Sequence, residues 1–270
     1  MITINNLHKK FNPGTLNEVY ALKGINVKIN KGDFVTIIGT NGSGKSTLLN
    51  AIAGAFLPDE GNIVIDGNDV TNIVEYKRAK YISRVFQNPF SGTAAEMTIA
   101  ENLHLASLRG SRRFPIIGLN NQSINRYKEE LRQLEMQMED RTDSLIGTLS
   151  GGQRQAITLL MAVIKRPLVL LLDEHTAALD PKSAAQIINL TKKFIERDNL
   201  TAVMVTHSMQ QALELGNRTI MMNKGEIVED LTLADKRRLT VNDLLNKFSE
   251  IRKKEKLTDE LVLDLKNEYI

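Results

Sequence analysis

A mixed α/β architecture is the fold class this sequence predicts, and three observations predict it. The apolar run Phe34-Val35-Thr36-Ile37-Ile38 breaks at a glycine-rich loop, Gly39-Thr40-Asn41-Gly42-Ser43-Gly44-Lys45-Ser46-Thr47, then resumes as a helix-compatible segment, Leu48 to Ala53. A second apolar run, Leu168 to Leu172, ends on two adjacent carboxylates, Asp173 and Glu174. Between the two runs, from about Pro89 to Lys165, helical spacing replaces strand spacing. A strand that is apolar at every position is one buried on both faces, as in a parallel sheet covered by helices.

Taken in order, the first 75 residues read as short strands. Ile2 to Ile4, Gly24 to Ile29, Phe34 to Ile38 and Asn62 to Ile65 are rich in β-branched residues and separated by turn signals such as Asn30-Lys31-Gly32-Asp33 and Asp66-Gly67-Asn68-Asp69. Helices are predicted over Met97 to Leu108, Asn125 to Met138 and Gln153 to Ile164; in the last, Ile157, Leu160, Met161 and Ile164 share one face. After the Leu168 strand, Asp180 is placed as a helix N-cap with Pro181 at the first helical position. Ile187, Leu190 and Phe194 form the buried stripe of that helix, and Thr201 to Thr206 returns as a strand, completing a βαβ unit. Ser208 can cap a short helix ending at Gly216, and strands Thr219 to Asn223 and Glu226 to Glu229 are joined by Lys224-Gly225. From about Leu231 the chain is charged and helical, with Val241, Leu244, Phe248 and Ile251 spaced for one apolar face.

Composition bounds the function classes. A chain of 270 residues buries one substantial core, or one core with a modest insertion. Apolar content of 42% and charged content of 25% are ordinary for a globular protein. No uninterrupted apolar window reaches membrane-spanning length, and Met1 to Asn6 lacks the basic and apolar regions of a signal peptide. With no cysteine, disulfides and thiolate zinc sites are excluded, which fits a cytosolic address. A net charge of +3 is too small to imply nucleic acid, so no nucleic-acid partner is expected.

The strand, glycine-rich loop and helix around Lys45 make a phosphate-binding P-loop. Its glycines let successive backbone N–H groups point inward, and the helix N-terminus adds partial positive charge. Gly39, Asn41, Gly42, Ser43, Gly44 and Thr47 form the cradle; Lys45 would reach the β- and γ-phosphates, and the Ser46 hydroxyl would take Mg²⁺. Such a loop needs a carboxylate for the metal, and ligands gather at the carboxyl ends of parallel strands, where Asp173 stands. As the strand ends, Asp173 and Glu174 point apart, so one can hold Mg²⁺ while the other faces the attacking water as general base. The alternative for the pair is an acid cluster at a helix start. Ser150, with Gln153 three residues on and an apolar-periodic helix following, is a capping box; with Gly151 and Gly152 it can also bind an anion. It lies 105 residues after Lys45, so the two need not meet on one nucleotide.

Together these residues resemble the ATP-binding subunit of an ABC transporter. The Walker A match is Gly39 to Thr47, the Q-loop match is Gln87 in Val85-Phe86-Gln87-Asn88-Pro89, and the signature match is Leu149 to Gln153. Leu168 to Glu174 matches Walker B, Ala178-Leu179-Asp180 the D-loop, and His207 the switch histidine. The resemblance covers roughly residues 1 to 230. It implies a P-loop NTPase core with a mixed sheet and flanking helices, an antiparallel β subdomain, and a helical subdomain inserted at about 89–165, followed by a helical tail, 231–270. It implies hydrolysis of MgATP, with Gln87 sensing metal (and counted among its ligands) and nucleophilic water, His207 contacting the γ-phosphate, and Glu174 and Lys45 completing the catalytic set. Two copies would pair head to tail, Ser150 and Gly152 of one completing the γ-phosphate site of the other, with Asp180 at the seam. Partners follow from the same resemblance: separate membrane permease subunits and a solute-binding protein, with this chain on the cytoplasmic face of the membrane. Uptake is the expected direction. An exporter or a non-transport ABC protein is the alternative.

An aromatic ring should stack on adenine; Phe11 matches the family position and Tyr20 is the fallback. Asn223-Lys224-Gly225-Glu226 lacks the aspartate that guanine recognition needs. His175 stands where most cassettes carry proline; it either adds a titrating group near the nucleotide or is a turn variant. Asp173-Glu174-His175-Thr176 resembles a subgroup associated with uptake of aromatic amino acids. Arg109, Arg112 and Arg113 read as a solvated basic loop or a permease contact, and Lys247 to Lys256 as the polar face of an accessory helix.

Overall fold

The computed structural model, which describes residues 1–111 and 118–250, is built on two sheets. In chain order its elements are β1 (Ile2–Phe11), β2 (Val19–Ile29), β3 (Phe34–Gly39), α1 (Lys45–Ala53), β4 (Glu60–Ile65), β5 (Asn68–Asp69), α2 (Glu75–Arg78) and β6 (Ile82–Val85). The series continues with α3 (Ile99–Ser107), α4 (Asn121–Arg132), α5 (Gly151–Val163), β7 (Val169–Asp173), α6 (Pro181–Asp198), β8 (Thr201–Val205), α7 (Met209–Glu214), β9 (Arg218–Asn223), β10 (Glu226–Thr232) and α8 (Leu233–Lys236). The smaller sheet runs β2-β1-β4-β5 and is antiparallel; the larger runs β10-β9-β3-β8-β7-β6. Neighbours from β9 to β6 are parallel, and β10 adds an antiparallel edge.

The central strands divide their side chains between two cores, as period-2 alternation requires. Val169, Leu171, Val203, Val205, Val35 and Ile37 face α1 and the antiparallel sheet. Leu170, Leu172, Ala202 and Met204 face α3, α5 and α6. The P-loop helix α1 is therefore enclosed between two sheets, with Leu48, Leu49, Ala51 and Ile52 buried. The expected βαβ unit is present: β7 and β8 are adjacent and parallel, Asp180 caps α6, Pro181 opens it, and Ile187, Leu190 and Phe194 are buried.

The structure departs from the sequence expectation at several elements. The helix expected over Asn125 to Met138 starts earlier, because the Asn120 side chain accepts from Ser123 N and caps it. It stops at Arg132, and positive φ at Glu135 and Gln137 turns the chain so that Leu134 and Met138 reach the core outside helix. Strand β1 runs on to Phe11, because it pairs with β2 along its length. Strand β6 is absent from the sequence reading: Ser83 and Arg84 interrupt the apolar pattern, yet the strand pairs with β7 from Ile82 to Val85. Towards the tail, residues 241–250 are helical, and Leu244 and Phe248 pack on Ile38, Ala212, Met221 and Leu231. Arg112, Arg113, Ile251 and the lysines beyond 250 lie outside the described residues.

Candidate active site

The P-loop leaves β3 at Gly39 and enters α1 at Lys45. Two glycines are dictated by space and backbone. A Cβ on Gly39 would lie 2.3 Å from Met222 O, and Gly44 has φ 97° with Ala21 O 2.6 Å from the place of its Cβ. The loop is thus pressed between β9 and β2. The Lys45 ammonium curls back, donating to Gly39 O and Thr40 O at 3.0 Å each, which leaves one of its three N–H groups. Burial lowers its pKa, and the charges of Glu174 and Asp173 oppose that shift. Ser43 Oγ is buried without a hydrogen-bond partner, an unsatisfied hydroxyl inside the cradle. Ser46, Asn41 and Gly42 are exposed at its mouth, and Thr47 is half-buried.

Strands β7 and β8 end beside this loop. Glu174 N donates to Val205 O at 3.1 Å, extending the ladder by one bond, and Glu174 then takes φ 46°. A non-glycine residue held left-handed costs about 1–2 kcal/mol, and here it swings the side chain away from that of Asp173. His207, just past β8, donates from Nε2 to Glu174 Oε1 at 2.6 Å. His207, Thr206, Ser208 and Gln211 surround Glu174 in a hollow of about 210 Å³, and His207 also borders a hollow of about 490 Å³ shared with Gly39, Thr40 and Asn41. Lys45, Asp173, Glu174 and His207 therefore converge at the carboxyl ends of β3, β7 and β8.

Asp173 carries a partner that sequence reasoning missed. Arg84 Nη2 donates to Asp173 Oδ2 at 2.6 Å, Arg84 Nη1 donates to Asn50 Oδ1 at 2.5 Å, and the guanidinium lies 4.7 Å from the Phe86 ring centre. The one available signal was a lone arginine in a strand-length segment three residues before Gln87. A second missed residue is Arg78, fully buried, whose guanidinium donates to Ala51 O and Ile52 O at the end of α1 and to Thr71 O and Ile73 O.

The remaining expected residues lie elsewhere. Gln87 is exposed just after β6. The Ser150 capping box is formed: Ser150 Oγ accepts from Gln153 N at 3.3 Å, and Gln153 Oε1 accepts from Ser150 N at 3.2 Å. Gly151 is exposed at that helix start, while Gly152 is buried against Ser183, whose Oγ is 2.7 Å from where a Cβ would stand. Ser150, Gly152 and Gln153 line a separate cleft with Lys182, Ser183 and Gln186. Among the described residues no hydrogen bond joins this segment to the P-loop. Asp180 spends its carboxylate on Lys182 N and Ser183 N. Phe11 ends β1 opposite Val19, two residues along β2 from the Ala21 carbonyl behind Gly44, and packs edge-on against Phe56. The Tyr20 hydroxyl is engaged by His8.

His175 does not point at the nucleotide cradle as a titrating group. It is buried, with Nε2 3.0 Å from Thr191 Oγ1 on α6 and no partner on Nδ1. Burial pulls its pKa down to about 4, so the ring is neutral.

The oxygen set of this site suits a hard divalent ion: a hydroxyl on α1 and the Asp173 carboxylate, with an unsatisfied hydroxyl in the cradle. Among the described residues no three histidine, aspartate or glutamate side chains are arranged to hold a metal ion between them, so such an ion would draw its other oxygens from phosphate and water.

Comparison with known proteins identifies the family. The profile of the ABC transporter family matches residues 22–177. The chain is 43% identical over 253 residues to a tyrosine transport ATP-binding protein of Clostridioides difficile, covering 92% of this chain and 98% of that protein. It is 37% identical over 232 residues to a spermidine/putrescine import ATP-binding protein of Haemophilus ducreyi, covering 86% of this chain and 58% of that longer protein. Among solved structures, a dimeric ATP-binding cassette in a post-hydrolysis state with ADP and phosphate superposes with a TM-score of 0.73 at 33% identity, over 86% of this chain and 99% of that one.

Proposed function

The chain belongs to the ABC transporter family and is an ATP-binding ATPase, and from that premise we propose how its residues divide the work of a transport motor. Lys45 and the N–H groups of the P-loop hold the β- and γ-phosphates. Ser46 and Asp173 would hold Mg²⁺, with Gln87 reaching towards metal and water from the β6 end; when bound, the ion would supply charge neutralisation for phosphoryl transfer. Glu174 takes the proton of the attacking water, and His207 fixes that carboxylate while reaching the γ-phosphate. Phe11 stacks on adenine. The observation that carries this reading is the 2.6 Å His207–Glu174 contact at the end of β8, beside the buried Lys45.

Ser150 and Gly152 form their cleft away from the P-loop of the same chain. We propose that they serve the nucleotide of a second copy, docked head to tail with Asp180 at the seam. A hollow of about 640 Å³ beside β6 and α3, lined by Ile82, Phe86, Leu105, Ala106 and Met161, offers an apolar seat to a membrane permease. The similarity to a tyrosine transport protein supports an aromatic amino acid as the solute; we propose that it is taken up, with a solute-binding protein delivering it and this subunit on the cytoplasmic face. The spermidine/putrescine relative also names import.

The test is Glu174→Gln. ATP binding should persist while steady-state phosphate release falls at least about a hundredfold, the range ascribed to a positioned general base. Phosphate release within about threefold of the parent would remove Glu174 from that role.

A further inference from the structure

The Asp173 carboxylate is addressed by a cation of the protein itself. Arg84 reaches it from the neighbouring strand β6, across the β6–β7 ladder where Arg84 stands opposite Leu171. Both side chains are largely buried, so water screens the pair weakly. The guanidinium is held at three points: Asp173 Oδ2, Asn50 Oδ1 and the face of Phe86. Asn50 follows Ser46 by one helical turn, so it occupies the same face of α1 as the hydroxyl expected on the metal. Arg84 therefore bridges the two elements that would supply the metal ligands, and its positive charge sits on one of them. A guanidinium cannot give up its proton to relieve repulsion. Like charges a few ångströms apart repel by several RT even at an effective dielectric of ~20.

We propose that Arg84 is a positioning residue that competes with the divalent cation for Asp173, and so weakens the hold of the site on metal. Oδ2 stays with the arginine, Oδ1 is left for the ion and its water, and the net charge the carboxylate offers is reduced. Because β6 runs directly into Gln87, the same contact ties the Q-loop to the metal ligand. A site that held Mg²⁺ with an unopposed carboxylate would release its product complex more slowly; Arg84 trades affinity for exchange. The inference rests on the assignment of Asp173 to Mg²⁺.

The measurement is the gain in affinity for a non-hydrolysable ATP analogue on going from EDTA to saturating Mg²⁺, in the full chain. Metal binding to the free analogue is common to all variants and cancels. For Arg84→Met the gain should rise at least about fivefold over wild type, with affinity in EDTA changed by less than about twofold. Arg84→Lys, which keeps a point charge, should stay near wild type. Arg84→Gln keeps a donor for Asn50 without the charge and replaces the methionine variant if that does not fold. A gain that is unchanged or smaller in the neutral variants, or one that rises equally in Arg84→Lys, overturns the proposal. A wild-type protein with no Mg²⁺ gain at all would instead overturn the Mg²⁺ assignment, and this inference with it.

Discussion

Acidification should unfold this protein partly through one ring, that of His175. Thr191 Oγ1 donates to Ile187 O at 2.8 Å, so only its lone pairs remain to face His175 Nε2 at 3.0 Å. Nε2 must then carry the proton, and Nδ1 is a bare acceptor with no partner in the interior. Charging the ring would place a second N–H, and a cation, where nothing accepts it. Burial accordingly takes the pKa down to about 4, against an ordinary value near 6.5. The sign follows: the folded ring binds its proton less readily than the unfolded one, so stability falls as pH drops from about 6.5 towards 4 and then levels. With these two values the loss is about 0.2 kcal/mol at pH 7 and about 2 kcal/mol at pH 5. Carboxylates that accept hydrogen bonds only in the folded state also weaken it in acid, so the comparison must be with a variant. His175→Gln keeps a donor for Thr191 and does not titrate. Urea unfolding of the nucleotide-free chain should show wild type losing about 1.8 kcal/mol more than His175→Gln between pH 7 and pH 5. Parallel pH profiles, within about 0.5 kcal/mol, would mean that the ring is hydrated or that Nδ1 has an acceptor, and the burial argument would fall.

Two further changes probe the scaffold beneath the nucleotide. Arg78→Met removes donors from Thr71 O, Ile73 O and Ile52 O, while Ala51 O keeps Gly54 N; one buried and two part-buried carbonyls left bare, at up to about 1 kcal/mol each net of relief from burying the cation, predict a loss of about 2–3 kcal/mol in chemical unfolding. Stability within about 1 kcal/mol of wild type would show that an apolar side chain serves equally well there. Gly39→Ala sets a Cβ 2.3 Å from the Met222 carbonyl, a backbone atom that cannot rotate away, so β3 and β9 must part at the mouth of the P-loop. Nucleotide affinity, followed with a fluorescent ATP analogue, should fall by at least about tenfold, in line with overpacking costs of about 1–3 kcal/mol; an unchanged affinity would mean that the loop relaxes freely.

What the amino-acid order determined by itself is local. The strand, glycine loop and helix around Lys45, the caps at Ser150, Asp180 and Ser208, and the βαβ passage from Leu168 to Val205 each depend on neighbours a few residues apart, and all are present in the fold. The family motifs were legible for the same reason, since each is a short run with its own backbone requirement. Strand β6 was not legible, because its identity comes from pairing with β7 some 87 residues on, which overrides two polar residues in a four-residue strand. The electrostatics of the site were hidden too. Arg84 finds Asp173 at a separation of 89 residues and Asn50 at 34, and no periodicity encodes such a meeting. His175 is the sharpest case: its place beside Glu174 in the chain left a titrating group and a turn variant both open, and the packing of Thr191 on α6 beside its buried ring decides against the titrating group. Local order set most of the elements and the glycine-rich loop around Lys45; packing between distant strands decided β6 and which charges face each other, because burial and pairing are properties of neighbours in space.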